Sequence, residues 1–235
     1  MATRSMTNKQ FSRSKLELYL ECPRCFYDDV ASGCGRPGGL AFTLNLAVDA
    51  LFKAEFDGYR ARGKPHPLFA TVGLDAVPFQ HDSLETWRMN FKGVRWKDGK
   101  TGWTFFGAVD DLWETPAGTL IVADYKATAK QDEITPENIH PAYRRQLEIY
   151  QFLVEQAGFE VEPRSWLVYA NGIKDDAAFK DRLRFRTTMI PVDGDRGWVQ
   201  AAFRKAVALL EGGVRPKAAR ECEWCGYVAR RGEWE

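Results

Sequence analysis

Two apolar runs, residues 103–114 and 119–128, flank Pro116, Ala117 and Gly118. This pattern predicts a β-hairpin closed by a three-residue loop, where Pro suits the first turn position and Gly the last. If Thr115 faces Thr119, then Asp110 lies opposite Asp124. The two-residue alternation of a strand then puts Lys126 on the same face as Asp124. A register one residue different would send the two aspartates to opposite faces. The shared face also carries Ala108, Leu112 and Val122, and the other carries Val109, Trp113, Ile121, Ala123 and Tyr125, so both faces read as buried. Asp111 points away from the pair and reads as a structural or supporting acid.

The flanking pattern predicts a mixed α/β chain. Ser14 and Glu17 have capping-box spacing, so a short helix should begin at Lys15 and stop at Pro23, delivering Cys22 and Cys25 at its end. Residues 44–59 place Leu44, Val48, Leu51, Phe52, Phe56 and Tyr59 at helical spacing, a core-facing helix. Residues 64–100 have little periodicity, and Trp87, Arg88 and Trp96 read either as core or as a lobe that stacks on nucleic acid. Residues 130–137 read as a polar loop. A helix follows over 141–157, ended by Gly158. Strands are expected at 165–170 and 183–190 with a turn at Asn171-Gly172, then a helix over 196–210 that buries Trp198, Val199, Ala202, Phe203, Val207 and Leu210. His66, His81 and His140 lack metal-ligand spacing and read as structural or exposed.

At 235 residues and 45% hydrophobic content, the chain can bury a core as one domain spanning 1–235. The segments at about 12–34 and 214–235 would form a small lobe. Thirty-three basic residues stand against thirty-two acidic ones, so any nucleic-acid surface must be a local patch. There is no apolar run long enough to span a membrane and no signal-peptide core, so a cytoplasmic location without membrane association is expected.

Directly opposed strand residues have Cβ atoms about 4.5–5.5 Å apart, a distance at which two carboxylates repel. In apolar surroundings such a pair shares a proton or binds a hard cation, typically Mg²⁺ or Mn²⁺, and a neighbouring lysine favours the ionised form. On an exposed hairpin the same residues would be a solvated charge cluster. On the 44–59 helix, Asp49 and Glu55 are rival further ligands. The pairs Cys22-x-x-Cys25 and Cys222-x-x-Cys225 have the spacing of one four-thiolate metal site assembled from distant segments. Separate vicinal disulfide or redox pairs, or unrelated buried cysteines, are the alternatives, and Cys34 reads as a spare.

Taken together, Gly107-x-x-Asp110, Asp124-Tyr125-Lys126 and Gln146-x-x-x-Tyr150 resemble the motifs of the PD-(D/E)XK nuclease superfamily. The closer likeness is to its RecB-like branch, which includes CRISPR-associated exonucleases and the nuclease domains of helicase-nuclease complexes. The likeness runs from the first cysteine pair to the last. It implies a restriction-endonuclease-like three-layer core, a central mixed sheet with helices on both faces. It also implies metal-dependent hydrolysis of DNA at single strands or ends, with a helicase, CRISPR or recombination protein as a possible partner. The catalytic residues would be Asp110, Asp124, Lys126, Gln146 and Tyr150, with Gln146 holding the scissile phosphate or the attacking water. The metal ligands would be Asp49, Asp110, Asp124 and the carbonyl of Tyr125. For the cysteines the likeness implies a [4Fe-4S] cluster that clamps the termini. The family pattern is one early cysteine and three late ones, whereas this chain has two and two, which keeps Zn²⁺ open. The rival readings are a catalytically inactive, metal-stapled DNA-binding or adaptor protein, and a redox protein in which the cluster is the function.

Overall fold

The computed structural model of the chain describes residues 9–39 and 42–233. Residues 1–8 of the expected domain, and residues 234–235 of the expected 214–235 segment, lie outside the described residues. In chain order the elements are β1 (Gln10–Ser12), α1 (Arg13–Glu21), α2 (Pro23–Ser32), α3 (Thr43–Arg60), α4 (Pro67–Ala70), β2 (Val77–Pro78), α5 (Leu84–Trp87) and β3 (Val94–Lys97). They continue with β4 (Thr104–Gly107), β5 (Asp111–Glu114), β6 (Leu120–Thr128), α6 (Pro141–Gln156), β7 (Arg164–Gly172), β8 (Phe185–Asp193), α7 (Val199–Glu211) and α8 (Glu223–Gly232). No helix among the described residues is long and apolar enough to cross a membrane.

The chain divides into two compact units, and the first draws on the described residues of Met1–Leu40, Arg95–Gly107 and Gly197–Glu235. Its three-stranded sheet has the order β1-β4-β3, with β1 parallel to β4. Phe11 of β1 packs on Phe26, Phe105 and Phe203 at centroid distances of 5.4, 5.8 and 4.9 Å, so one aromatic joins α2, β4 and α7. Trp103 is fully buried and satisfies its indole N–H on Glu211, 2.9 Å away. Helix α1 starts at Arg13, two residues before the expected Lys15, with Ser12 at the N-cap. Ser14 makes no capping box; its hydroxyl lies 2.9 Å from that of Ser12.

The second unit, Ala41–Val94 with Ala108–Arg196, holds a mixed five-stranded sheet of order β2-β5-β6-β7-β8. Only β6 and β7 run parallel, and α6 makes the crossover between them that such a pair requires. The β5–β6 hairpin has the expected register, with Leu112 opposite Val122 and Trp113 opposite Ile121. Thr115 N–H donates to the Thr119 carbonyl at 3.0 Å, and Gly118 takes φ +82°, a conformation that glycine adopts without strain. Upstream the expected strand is interrupted. Residues 104–107 belong to the sheet of the first unit, and the chain bends at Asp110 before β5 begins.

Helices cover both faces of this sheet, which makes the expected three layers. Against one face, the stripe Val48, Phe52, Phe56 of α3 packs on Trp113, Ile121, Ala123 and Tyr125. The Phe52 ring stacks on Tyr125 at 5.1 Å and Phe56 on Trp113 at 5.6 Å. The stripe advances by fours, which leaves Leu51 beside it and exposed; Leu44, also expected in the core, continues the repeat toward the start of the helix but is exposed as well. Helix α6 meets the opposite face of β6, where Gln146 reaches Asp124. Asn171 and Gly172, expected to turn, remain in β7 because they keep pairing with Arg186 and Phe185. His66, His81 and His140 each accept a backbone N–H at Nδ1 from the residue two positions on, Leu68, Ser83 and Ala142 respectively. All three are local backbone caps.

Asp111, fully buried, ties α3 and the segment after α5 to the sheet. Its carboxylate pairs with Arg60 and, at 3.1 Å, with Arg88. It also accepts the Tyr125 hydroxyl at 2.6 Å, the Trp113 indole N–H at 3.3 Å and the Leu112 N–H at 2.9 Å. Removing one partner of a buried ion pair strands the other charges in a medium that solvates them poorly, and costs about 3–5 kcal/mol. Asp111→Asn, which keeps the shape and loses the charge, should lower unfolding stability by about that amount in urea titrations. A change below about 1 kcal/mol would show that water already compensates the two guanidinium groups.

Candidate functional site

The bend before β5 and the alternation of β6 assemble the site. Asp110 stands at the bend, where its Oδ2 accepts the Tyr125 N–H at 3.1 Å and its carbonyl accepts Arg88 Nε at 3.0 Å. These two bonds bring its carboxylate against that of Asp124, which is fully buried. Lys126, two residues further along β6, pairs with Asp124 Oδ2 and lies 4.8 Å from the centroid of the Tyr143 ring. On α6, Gln146 donates from Nε2 to Asp124 Oδ1 at 2.8 Å and to the Tyr150 hydroxyl at 3.1 Å, while its Oε1 accepts from Lys126 at 3.4 Å. Five of the sequence-predicted residues thus form one hydrogen-bonded group.

Helix α3 adds a residue that the sequence reading missed. Asp49 and Lys53 are one turn apart, next to the apolar stripe. Lys53 Nζ bridges Asp49 Oδ2 at 2.8 Å and Asp110 Oδ1 at 3.1 Å. Its spacing of four from Asp49 was the available signal, since residues four apart share a helix face. Glu55 points elsewhere, with its Oε1 3.0 Å from His66 Nε2. Arg144 donates to the Asp193 carbonyl at 2.7 Å.

The charges are unevenly held. Burial raises the Asp110 carboxyl pKa, yet Lys53 and Lys126 overcome it and hold the group below the usual carboxylate range. Burial, helped by the charge of Asp110, pushes Asp124 up to about 7 against the pull of Lys126. Lys126 itself is held protonated by Asp124 and Asp110, although burial works against its charge. Asp110 and Asp124, with Asp49 linked to Asp110 through Lys53, offer hard oxygen donors of the kind that suits Mg²⁺ or Mn²⁺.

The four cysteines meet in the first unit. Cys25 Sγ lies 3.5 Å from the sulfurs of both Cys222 and Cys225, Cys22 Sγ lies 3.9 Å from that of Cys225, and all four fall within 4.8 Å of one another. None is disulfide-bonded, and Cys34 stays exposed and apart. This cluster could hold a metal.

Lys53 occupies the position between Asp49 and Asp110 that a divalent cation would compete for. Lys53→Met should therefore tighten Mn²⁺ binding by about tenfold in calorimetric titration, because it removes a like charge from the neighbourhood of the ion. Unchanged affinity would place the ion away from these two carboxylates.

Comparison with known proteins bears on the same arrangement. The family model of the PD-(D/E)XK nuclease superfamily matches residues 40–230. No curated protein matches the chain. Among solved structures, one titled "Crystal structure of SSO0001" is 14% identical, with a TM-score of 0.39, over 89% of this chain and 79% of that one. The family match takes in most of the 235 residues, Asp49, Asp110, Asp124, Lys126, Gln146 and Tyr150 among them. The chain belongs to the PD-(D/E)XK nuclease superfamily, whose chemistry is nuclease-like phosphodiester hydrolysis.

Proposed function

We propose that the chain is a Mg²⁺- or Mn²⁺-dependent deoxyribonuclease of the RecB-like branch, acting as an exonuclease on single strands or ends. The observation that carries this reading is the convergence of the buried Asp124 with the half-buried Asp110 and Lys126, and with Asp49 through Lys53. Carboxylates alone repel a phosphodiester, so this arrangement requires a cation between them and the substrate. Asp49, Asp110, Asp124 and the Tyr125 carbonyl would hold that ion. When bound, it supplies the Lewis acidity that polarises the phosphate and makes a water nucleophilic at neutral pH.

The side chains supply the rest. Lys126, kept protonated, acts as a donor that orients the attacking water and stabilises the charge growing on the phosphate oxygens. Gln146 fixes Asp124 through its amide N–H and receives Lys126 on its carbonyl, so one amide sets the spacing of carboxylate and ammonium. Tyr150 accepts from that amide and fixes its rotamer. The preference for DNA and for single strands or ends follows from the RecB-like motifs, and the cysteine cluster is read as a staple outside the reaction.

End-labelled single- and double-stranded DNA, incubated with Mg²⁺ or Mn²⁺, tests the reading. Wild-type protein should release short labelled products. Lys126→Ala and Asp124→Ala should each lose activity by at least about 10²–10³-fold, with the fold retained. Cleavage that survives both substitutions refutes the site. Binding without cleavage by wild-type protein would transfer the weight to a catalytically inactive DNA-binding or adaptor role.

A second outcome concerns pH. The Asp124 carboxyl, raised to about 7, is protonated below that value, and an incoming cation must displace its proton. Mn²⁺ affinity should therefore fall by about tenfold per unit below pH 7 and level off above it. A flat profile from pH 5.5 to 7.5 would mean that Asp124 is ionised throughout.

A further inference from the structure

We infer that the four cysteines hold a single tetrahedral zinc ion, supported by Arg36, and not the four-iron cluster that the family resemblance implies. This goes beyond the nuclease reading and does not rest on it. The sulfur spacing carries the inference. Four thiolates at about 2.3 Å from one ion stand at the corners of a tetrahedron whose edges are about 3.8 Å. The separations of 3.5, 3.5 and 3.9 Å lie close to those edges, and all six pairs stay within 4.8 Å. In a [4Fe-4S] cluster each thiolate binds a different iron at its own corner of a cube, which spreads the sulfurs to roughly 6 Å. The cluster does not fit this cage, and disulfides, with sulfurs about 2.05 Å apart, do not describe it either.

The local backbone agrees with one small, anion-rich centre. Cys22 and Cys222 are the N-cap residues of α2 and α8, and Cys25 and Cys225 lie in the first turns of the same helices. Both Cys-x-x-Cys pairs thus present their sulfurs at helix N-termini, where unpaired N–H groups and the helix dipole favour thiolate. Two matching knuckles of this kind give the two-plus-two ligand set of a closed structural zinc site.

Four thiolates around a divalent ion carry a net double negative charge, which the surroundings must offset. Arg36 donates from Nη2 to Cys222 Sγ at 3.7 Å, and the Ala219 N–H donates to Cys22 Sγ at 3.4 Å. Arg36 is itself anchored to Glu21, 2.6 Å away at the end of α1. It is a positioning residue: it touches a ligand sulfur and neutralises it without binding the metal.

Elemental analysis of full-length protein, expressed with both iron and zinc supplied and purified without oxygen, tests the assignment. One zinc per chain with no acid-labile sulfide is expected. Replacing it with Co²⁺ should give the visible bands of a tetrahedral four-sulfur site with near-ultraviolet thiolate-to-metal absorption. About four irons with four sulfides per chain, or a protein that carries no metal and gives no such bands with Co²⁺, overturns the inference. Arg36→Ala should lose zinc to a competing chelator about 10–100-fold more readily, and Arg36→Lys should recover part of the difference. Equal loss from all three proteins removes Arg36 from the proposal. None of these readouts involves DNA cleavage, so a failed zinc assignment and a failed nuclease reading give different results.

Discussion

A buried anion holds the candidate active site in place. Asp111 sits beneath α3 with no solvent access, and the electrostatic demand of that one carboxylate recruits Arg60 from the helix, Arg88 from the segment after α5 and the Tyr125 hydroxyl from β6. Each partner has a second task close to the chemistry. Arg88 also grips the Asp110 carbonyl, and Arg60 ends the same helix that presents Asp49 and Lys53. Tyr125 separates Asp124 from Lys126 in sequence and offers its N–H to Asp110. The acid that faces away from the carboxylate cluster is thus bonded to residues that also hold that cluster.

Which parts of this were legible in the sequence follows from distance along the chain. Pro116-Ala117-Gly118 dictates a turn geometry and hence a register, so the meeting of Asp110 with Asp124 and the side taken by Lys126 could be read locally. Gln146 and Tyr150 share a helix face for the same kind of reason. The partners of Asp111 could not be found this way: Arg60 and Arg88 lie 51 and 23 positions away, and no periodicity links them. The run 103–114 looked like one strand because apolar content does not say which sheet a strand joins, and the bend at Asp110 divides it between two. Leu51 illustrates a different limit. It fits a helical stripe on paper, but the actual stripe advances by fours from Val48 and leaves it to solvent.

Lys53 and Lys126 make the resting site nearly self-neutralising. Without them the carboxylates of Asp110 and Asp124 would confront one another with no opposite charge between them, and ionising both would cost more. The two ammonium groups differ in placement: Lys126 is locked among Asp124, Gln146 and Tyr143, whereas Lys53 reaches in from a helix as a bridge between two acids. A bridge of this sort can swing away on its flexible stem, while the locked group stays where the phosphate would sit.

The cysteine cage imposes an order on the life of the chain. Cys22 is separated from Cys225 by 203 positions and Cys25 from Cys222 by 197, so during synthesis the early thiols leave the ribosome long before their partners exist. All the strands of the five-stranded sheet, and every residue of the carboxylate cluster, are translated within that interval. Synthesis halted in α7 would leave a chain with its carboxylate cluster complete and its cysteine cage half-made, holding Cys22 and Cys25 at the start of α2 without their partners. The carboxylate cluster is thus complete in the nascent chain before the cysteine cage can close.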